Sequence, residues 1–510
     1  MSRFKFVAKN WAFVFVGVIL IATAASTMAA VAATNPPSPK VQQYIKQGFR
    51  PSTCDVTRPG MHRCNLVVPV DTQGNPMHAA TYNAAKQLRR NSGATPKNKK
   101  AFSGVYSPQQ LHTAYQLPCK PGGPVQGTCS QPVSFGPNTI AIVDAGGYRG
   151  PGSIEGNLAT FDQQYGLPSC TKANGCLKIV NGSGQTSPLP APLPVNDNWD
   201  IEMDLDVQTA HMICQTCKIL LVQSDDDSNS LNDAVPVAAS FNPIAISLSW
   251  GGSNFPPANA DFQFKGIAVV AASGDSGSDE ANGYPADLAE VIDAAGTSLN
   301  LNANNTWSSE TVWSDSGGGC ALNGFDAPAW QTSLPEWSTA GCGQNKADGD
   351  MSAMADPNPG VATYSDGQWM FGGGTSLSSP IVAASIALAG RVPNNQYGSQ
   401  YIYQNADSSN THDITLGNNC TATATTHCTA AVGFDEPSGL GSFKGLGLFG
   451  DYHGGASYGD FNNDGNVNIT DLSVILSHFH LNVTQSLGDV NGDGTVTITD
   501  LSIFITDWTG

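Results

Sequence analysis

Short apolar runs recur through the middle of the chain and define its predicted strands. Each run is four to seven residues long and rich in β-branched side chains, which is typical of strands buried on both faces. Helical stretches at residues 201–212 and 230–240 fall between these runs. Strands that alternate with helices predict a parallel sheet covered by helices on both faces. The runs lie at residues 139–144, 177–180, 218–222, 244–248 and 267–272.

Changes in composition and hydrophobic pattern divide the chain into segments. Residues 34–104 lack a strong periodic core, and their stretch 86–100 places Lys and Arg among Asn, Ser, Gly and Pro. Such a stretch is typical of an exposed, cleavable linker. Residues 105–448 are predicted to form one large α/β domain, which residues 449–458 link to a C-terminal segment, residues 459–510.

The N-terminal residues 1–33 have the order of a secretory signal. Arg3, Lys5 and Lys9 precede an apolar stretch that ends in small residues near Ala33. An uncleaved membrane anchor is the alternative, although the Ala-rich end favours cleavage. No later segment is apolar for long enough to span a bilayer, so we expect a secreted, extracellular protein without membrane association after cleavage.

The composition indicates a loop-rich, acidic protein. Its 510 residues exceed one ordinary domain, and 40% hydrophobic residues are enough for a full core. Only 13% of the residues are charged and the net charge is −18, which argues against nucleic acid as a partner. The scarcity of Lys and Arg also suits work in acid, where carboxylates lose their charge.

Twelve cysteines fit export into an oxidising compartment. Six disulfides between sequence neighbours are the simplest pairing, although the sequence alone leaves the connectivity open. One pair has the CxxC spacing of a redox or zinc motif, but a single such motif in an exported chain is more often structural. The neighbours are Cys54 and Cys64, Cys119 and Cys129, Cys170 and Cys176, Cys214 and Cys217, Cys320 and Cys342, and Cys420 and Cys428.

A turn of small residues presents a serine at the start of an apolar helix. Gly373 and Gly374 precede Thr375 and Ser376, and the apolar run 381–390 follows. A helix N-terminus favours developing negative charge, and the glycines let a substrate backbone approach closely. Ser376 is therefore a candidate nucleophile, which still needs a base to accept its proton.

Carboxylates offer that base. Glu202 and Asp206 are four residues apart in a predicted helix and so share one face. Two acids this close tend to share a proton and can accept another from a hydroxyl in acid, where an imidazole is already protonated. The alternative is a solvated acidic helix face. Asp204 lies on a different face and is treated as a bystander.

A third acidic residue follows an apolar strand. Asp275 stands in the turn Ser-Gly-Asp-Ser-Gly, at the carboxyl end of the run 267–272. Ligands bind at that edge of open α/β sheets, and a protonated carboxyl group can donate a hydrogen bond to an oxyanion. The alternative is an ordinary turn residue.

Along the chain the Glu202/Asp206 pair comes first, the turn with Asp275 second and the turn with Ser376 third. These three motifs, in that order, resemble the sedolisin family of serine-carboxyl peptidases over roughly residues 105–448. The resemblance implies a subtilisin-like, doubly wound parallel sheet and an endopeptidase that cleaves proteins or peptides in acid. It implies Ser376 as nucleophile and Glu202 as general base and later general acid. Asp206 would hydrogen-bond to Glu202 and tune it, and Asp275 would be the oxyanion-hole donor.

The same resemblance implies a calcium site, but the N-terminal part of the chain departs from the family. Members of that family usually carry a large folded prodomain, whereas only about seventy residues lie here between the predicted signal and the main domain, so we expect a short propeptide. The propeptide would occupy residues 34–104, as in a zymogen, and be removed between Arg89 and Phe102. Calcium would bind oxygen ligands near the end of the catalytic domain. The implied ligands are the carboxylates of Asp413 and Asp435 and the backbone carbonyls of Ile414, Ala431 and Gly433.

The C-terminal segment contains a direct repeat with the ligand spacing of calcium-binding EF-hand loops. Each loop leads into a predicted helix, at residues 472–479 and 501–508, but no helix precedes either loop. This arrangement resembles a dockerin, a small all-α calcium-loop domain, and implies a cohesin partner on a scaffold or cell surface. The alternative is a generic calcium-stabilised tail. The implied ligands are Asp460, Asn462, Asp464, Asn468 and Asp471 in the first loop and Asp489, Asn491, Asp493, Thr497 and Asp500 in the second.

Two other readings of the whole chain remain open at this point. It could be a non-catalytic, secreted calcium-binding interaction protein that retains the subtilisin-like fold. It could instead be an ordinary subtilisin with a histidine base, although none of the nine histidines has the His-Gly-Thr-His setting of those enzymes. Of the nine, His211 and His412 have the most plausible helical or buried settings.

Overall fold

A computed structural model describes most of the chain beyond the predicted signal segment. The predicted signal, most of residues 34–104 and residues 451–458 of the predicted linker lie outside the described residues. The described residues are 49–51, 61–69, 105–119, 135–136, 138–150, 152–193, 198–252, 259–279, 283–322, 324–340, 342–421, 425–450, 467–481, 488 and 495–506.

The strands of the described residues are numbered in chain order. They are β1 (Phe49–Pro51), β2 (His62–Cys64), β3 (Val67–Pro69), β4 (Thr139–Ala145), β5 (Leu177–Asn181), β6 (Lys218–Ser224), β7 (Ala245–Leu248), β8 (Trp250–Gly252), β9 (Ala268–Ala272), β10 (Val291–Leu301), β11 (Trp307–Val312), β12 (Gly319–Cys320), β13 (Ala347–Asp348), β14 (Met351–Met354), β15 (Val361–Ser365), β16 (Gln368–Gly372), β17 (Thr411–His412) and β18 (Ser442–Phe443).

The helices are numbered in the same way, and single turns of 3-10 helix occur at Ala260–Phe262, Gly277–Asp279 and Gly447–Phe449. They are α1 (Pro108–Ala114), α2 (Ile154–Tyr165), α3 (Trp199–Ile213), α4 (Asn229–Ser240), α5 (Ala329–Thr332), α6 (Trp337–Ala340), α7 (Thr375–Ala389), α8 (Gly398–Asn405), α9 (Ile469–Ser477) and α10 (Ile498–Thr506).

A ten-stranded, largely parallel sheet organises the main domain. Its strand order is β17-β18-β14-β10-β9-β7-β4-β6-β5, with β11 paired to β10. The chain leaves β4 toward β6 and β5 on one side and returns to β7 and β9 on the other, so the order reverses at β4. In open α/β sheets ligands bind at the carboxyl ends of the strands beside such a reversal. The predicted doubly wound α/β fold is confirmed.

The predicted strands and helices of the main domain correspond to observed elements within two residues at each end. The run predicted at residues 218–222 extends to Ser224 as β6, and the helix predicted at 201–212 is α3, Trp199–Ile213. Helices α3 and α7 are buried along almost their whole length. A helix that is buried on all sides can carry polar side chains only where they meet partners or perform chemistry.

The two C-terminal helices begin three residues earlier than the sequence analysis placed them. Asn468 caps α9 by accepting a hydrogen bond from the Thr470 amide at 2.8 Å, and Asp471 accepts one from the Asn468 amide at 3.1 Å. This reciprocal cap starts the helix at Ile469, ahead of the first apolar side chain that marked it in the sequence. A small core of Val467, Ile475, Val496 and Phe504 joins the two helices.

Four of the six neighbouring cysteine pairs are disulfides within the described residues. Cys64 and Cys119 are also disulfide-bonded, and their predicted partners lie outside the described residues. In the part of the chain that is described, no helix is long and apolar enough to cross a membrane. The four bonds join Cys170 to Cys176, Cys214 to Cys217, Cys320 to Cys342 and Cys420 to Cys428.

Candidate active site

Helix α3 carries Glu202 and Asp206 into the interior, where neither residue is exposed to solvent. The alternative of a solvated acidic helix face is therefore wrong for this pair. Asp204, between them in sequence, is also buried, but it accepts hydrogen bonds from Tyr148 at 2.7 Å and Asn157 at 2.9 Å. Asp204 thus belongs to a separate polar cluster on another face of α3.

Ser376 lies in the first turn of α7, behind the glycine-rich turn. Its hydroxyl donates to the Ser249 carbonyl at 3.1 Å. Gly374, the cap residue of α7, has φ 102°, a conformation that favours glycine. A side chain at Gly374 would come within 2.6 Å of Asp275 Oδ2, so only glycine allows this close approach.

The acids of α3 face this serine, and their environment makes them hard to ionise. Burial, followed by the nearby Asp144 carboxyl, raises the pKa of Glu202 well above its usual range, and the Ser376 hydroxyl lowers it. Burial, Asp144 and Glu202 together raise the pKa of Asp206. Ser249 partly offsets this by donating its hydroxyl to Asp206 Oδ1 at 2.8 Å.

The candidate nucleophile and its candidate base are close but not hydrogen-bonded in this conformation. The Ser376 hydroxyl is near enough to affect the pKa of Glu202, yet it donates to the Ser249 carbonyl, and neither carboxyl oxygen of Glu202 has a hydrogen-bond partner. Rotation of the hydroxyl would transfer its hydrogen bond to Glu202. Long or misdirected catalytic hydrogen bonds are common before a substrate binds.

Asp275 lies just beyond β9, at the edge of the sheet where the serine is. Its Oδ1 atom accepts hydrogen bonds from the Thr375 amide at 2.7 Å and the Thr375 hydroxyl at 3.0 Å. Burial raises the pKa of Asp275 to about 7, against the lowering effect of these bonds and of Arg63. Below that pH the carboxyl group is protonated, and Oδ2, which has no partner, can donate a hydrogen bond.

Asp144 is a site residue to which the sequence analysis assigned no role. It lies near the end of β4, where the strand order reverses, and is fully buried with no hydrogen-bond partner for either side-chain oxygen. Burial raises its pKa to about 8, and its carboxyl group raises the pKa of both Glu202 and Asp206. An acid that ends an apolar strand at this edge was the signal available in the sequence.

The histidines singled out in the sequence are engaged elsewhere. His211 lies 3.4 Å from Asp162 and contacts the Pro168 carbonyl at 2.7 Å. His412 stacks on Trp307 with the ring centroids 4.0 Å apart. Neither ring has a contact with the serine, so the structure offers carboxylates rather than these imidazoles as its base.

The residues of the implied calcium site in the main domain converge. Asp413 accepts a hydrogen bond from the Gly433 amide at 3.0 Å, and Asp435 accepts one from the Ala431 amide at 2.8 Å. The Ser438 hydroxyl connects Asp435, at 2.6 Å, to the carbonyl of Ile414, at 3.4 Å. The cluster offers carboxyl and carbonyl oxygens.

Burial raises the pKa of Asp435 to about 7. An adjacent cation stabilises the ionised form of a carboxyl group whose pKa is raised by burial. The residues present therefore fit calcium.

Only the last part of each C-terminal loop is described. Asp471 and Asp500 are buried at equivalent places in the two repeats, and each accepts a hydrogen bond from the backbone three residues earlier, at Asn468 and Thr497. The repeat in the sequence is therefore a repeat in structure over these positions. The other predicted ligands lie outside the described residues: Asp460, Asn462, Asp464, Asp489, Asn491 and Asp493.

Both the main domain and the C-terminal segment are similar to known proteins. Residues 458–506 match the family model of the dockerin type I domain. Kumamolisin of Bacillus sp. (strain MN-32) is 29% identical over 384 residues, which cover 69% of this chain and 64% of kumamolisin. Sedolisin of Pseudomonas sp. (strain 101) is 29% identical over 317 residues, which cover 54% of this chain and 53% of sedolisin.

A solved structure of Pseudomonas sedolisin, a serine-carboxyl proteinase complexed with two molecules of pseudo-iodotyrostatin, has the same fold. Its TM-score is 0.50 at 23% identity, and the match covers 67% of this chain and 96% of that one. The chain therefore spans just under two thirds of kumamolisin and about half of sedolisin.

The main domain thus has the fold of the serine-carboxyl peptidases. More particularly, the relatives support a sedolisin-type domain, followed by a dockerin type I domain at residues 458–506.

Proposed function

We propose that this protein is a secreted serine endopeptidase that cleaves proteins or peptides in acid, using Ser376, Glu202, Asp206 and Asp275. The observation that carries the proposal is the buried set of carboxyl groups around one serine hydroxyl. Burying several acids is costly unless they are neutral or share protons, so this arrangement suits an enzyme that works where carboxyl groups are protonated.

In the proposed reaction the Ser376 oxygen attacks the scissile carbonyl carbon and its proton passes to Glu202. Asp206, held by the Ser249 hydroxyl, shares a proton with Glu202 and orients it. The amide of Ser376 and a protonated Asp275 donate hydrogen bonds to the oxyanion. Glu202 then protonates the leaving amine, and a water molecule hydrolyses the acyl-enzyme by the same steps.

We further propose that calcium supports the main domain and the dockerin rather than the chemistry. Asp413, Asp435 and the carbonyls of Ile414, Ala431 and Gly433 would hold one ion, which would supply positive charge that rigidifies these two loops. The dockerin loops would bind two more ions through the residues assigned to them above.

A cohesin-containing scaffold or cell-surface protein is the proposed partner of the dockerin. Ile469 and Ile498, at the start of the two repeated helices, are 69% and 65% exposed. Exposed apolar side chains at equivalent places favour a protein interface.

Three substitutions test the catalytic assignment. Ser376→Ala should abolish cleavage of a quenched fluorescent peptide at acid pH, and Glu202→Gln should lower kcat by about 10³-fold or more, since an amide cannot act as the base. Asp204→Asn is the matched control, because it neutralises a buried acid of the same helix outside the proposed site. A Glu202→Gln variant with near-normal kcat would contradict the assignment. No cleavage by any form would favour the non-catalytic interaction protein.

A further inference from the structure

Residues 61–69, which we call the cleft strand, lie across the candidate active site. This segment precedes the main domain by more than thirty residues in sequence. Strand β2 pairs antiparallel with β8, and the register places Cys64 opposite Trp250 and Arg63 opposite Gly251. The pairing adds a strand to an edge beside the nucleophile, which is a common way for an extended peptide to bind.

The backbone hydrogen bonds of the cleft strand continue through the nucleophile itself. The Asn65 amide donates to the Ser249 carbonyl at 3.1 Å, and the Asn65 carbonyl accepts from the Ser376 amide at 2.9 Å. Val67 and Gly373 exchange two further hydrogen bonds, at 2.9 and 3.0 Å. The Asn65 carbonyl therefore receives a hydrogen bond from the residue whose hydroxyl would attack it, which leaves the Asn65–Leu66 peptide bond at the reaction centre.

Asp275 completes the surroundings of this carbonyl. An added Cβ at Gly374 would meet both the Asn65 oxygen, at 2.3 Å, and Asp275 Oδ2, at 2.6 Å. The two oxygens therefore flank the same glycine. When Asp275 is protonated, its hydroxyl can donate to the Asn65 carbonyl from the side of the proposed oxyanion hole.

The side chains of the cleft strand are also buried against the main domain. His62 is fully buried, with its ring 4.5 Å from the ring of Trp250 and 6.2 Å from that of Tyr284. Leu66 and Val67, on the other side of the Asn65 carbonyl, are 2% and 0% exposed. Contacts on both sides of one peptide bond are expected of a bound substrate rather than of a released product.

We propose that the cleft strand is an internal substrate that closes the active site until Ser376 cuts the Asn65–Leu66 bond. This proposal rests on the proposed function. The Ser376 oxygen would bond to the Asn65 carbonyl carbon and pass its proton to Glu202. The bond from that carbon to the Leu66 nitrogen would then break, and the nitrogen would take the proton from Glu202. Water would then release Asn65 as a carboxylate and restore the serine hydroxyl.

This site of processing differs from the linker predicted to be cut between Arg89 and Phe102. A cut in that linker alone would leave residues 61–69 hydrogen-bonded to the cleft. Cleavage at Asn65–Leu66 instead divides the strand at its centre, so that neither half keeps the contacts of both sides.

Occupancy of the cleft can be tested without catalysis by hydrogen exchange in a Ser376→Ala background. The amide of residue 376 lies in the first turn of α7, where helical amides have no partner within the helix, so its protection must come from Asn65. We expect slow exchange at the amides of residues 373 and 376, at least tenfold faster after Val67→Pro, which removes the amide that donates to Gly373. Val67→Ala keeps that amide and is the matched control. Equal exchange in the two variants would overturn the proposal.

The cut itself is tested by intact mass and N-terminal sequencing of the full chain after acid incubation. We expect a new N-terminus at Leu66, absent from Ser376→Ala and from Leu66→Pro, because proline on the amine side of a bond resists this hydrolysis while Asn65 stays extended. An enzyme that digests external peptides with the Asn65–Leu66 bond intact would overturn the proposal. If Val67→Pro opens the cleft but the same substitution in the chain with Ser376 intact cleaves no peptide, the proposed function fails instead.

Discussion

At the scale of single residues, the site is defined by acids whose ionisation is suppressed. Asp144, Glu202 and Asp206 are fully buried, and each carboxyl group has its pKa raised first by burial. Three ionised acids in such a space would repel strongly, so the cluster holds protons in common. A shared proton near the serine allows the same groups to accept a proton and return it.

Asp275→Asn should change the pH profile more than the maximal rate. The pKa of Asp275 is raised to about 7, so the carboxyl group is a donor below that pH and loses its proton as the pH rises through it. An asparagine amide donates at every pH, so the fall in kcat/KM on the alkaline side should disappear or move upward. Asp275→Ala, which has no donor, should lower kcat by about 10²- to 10³-fold at all pH values. An unchanged alkaline limb in Asp275→Asn would contradict this role.

His62 should make binding of the cleft strand sensitive to acid. Burial lowers the pKa of His62 to about 3, partly offset by Asn232, whereas a released strand would have the ordinary value of 6.5. The neutral ring packs against Trp250 and Tyr284, and its backbone amide donates to the Asp227 carbonyl. Docking is therefore strongest above about pH 6.5 and weakens by about tenfold per unit as the pH falls toward 3.

A synthetic peptide of residues 61–69 measures this effect as inhibition of the processed enzyme. It carries Cys64→Ser, and it carries Leu66→Pro so that the enzyme does not cut its central bond. Between pH 6.5 and 4.5 its inhibition constant should rise by about fiftyfold. The same peptide with His62→Phe keeps an aromatic ring and cannot titrate, so its constant should change much less. Equal changes in the two peptides would exclude His62 as the sensitive group.

At the scale of elements, spacing in the sequence was enough to predict helix α3, which carries the candidate acids, and the turn before α7. Glu202 and Asp206 are one turn apart, a local relation that a helix fixes by itself. The effect of Asp144 depends on strand order, which brings the ends of β4, β7 and β9 together. Strand order cannot be predicted from any local sequence pattern. The cleft strand was missed because β2 is only three residues long and its partners lie far along the chain.

Gly374→Ala should damage the turn that positions α7. The residue has φ 102°, and a Cβ would lie 2.3 Å from the Asn65 oxygen, so both backbone strain and a collision oppose the substitution. We expect a loss of stability of about 1–3 kcal/mol, seen as a lower Tm, together with loss of cleavage. Gly175→Ala is the matched control, because Gly175 has φ 78° with nothing within 4 Å of its added Cβ. A similar loss of Tm in both variants would mean that strain alone, without the collision, explains the effect.

At the scale of the whole molecule, calcium should stabilise two separate parts of the chain. In the main domain the buried Asp435, with its pKa raised to about 7, would be relieved by an ion. The C-terminal segment 459–510 holds seven Asp and no Lys, Arg or Glu. Without an ion the Asp carboxylates of its loops therefore repel one another. The sequence predicted both sites from ligand spacing and resemblance, and the described residues fit the first.

Chelation of calcium should therefore lower stability in two steps. We expect circular dichroism to lose the helical signal of the C-terminal segment and calorimetry to show a lower Tm for the main domain, both restored by added calcium. Asp435→Ala should remove the calcium dependence of the main-domain Tm and leave that of the C-terminal segment. A main-domain Tm that responds equally to calcium in wild type and Asp435→Ala would place the ion elsewhere.

The position of the cleft strand in the chain has a consequence for the cell that makes this protein. Ribosomes build polypeptides from the N-terminus, so residues 61–69 exist about three hundred residues before Ser376 is added. The newly folded enzyme would therefore meet its own blocking segment first, at an effective concentration that no neighbouring protein could match. Other proteins of the producing cell would be spared during export, because the covalently linked segment is present before the serine and competes for the cleft.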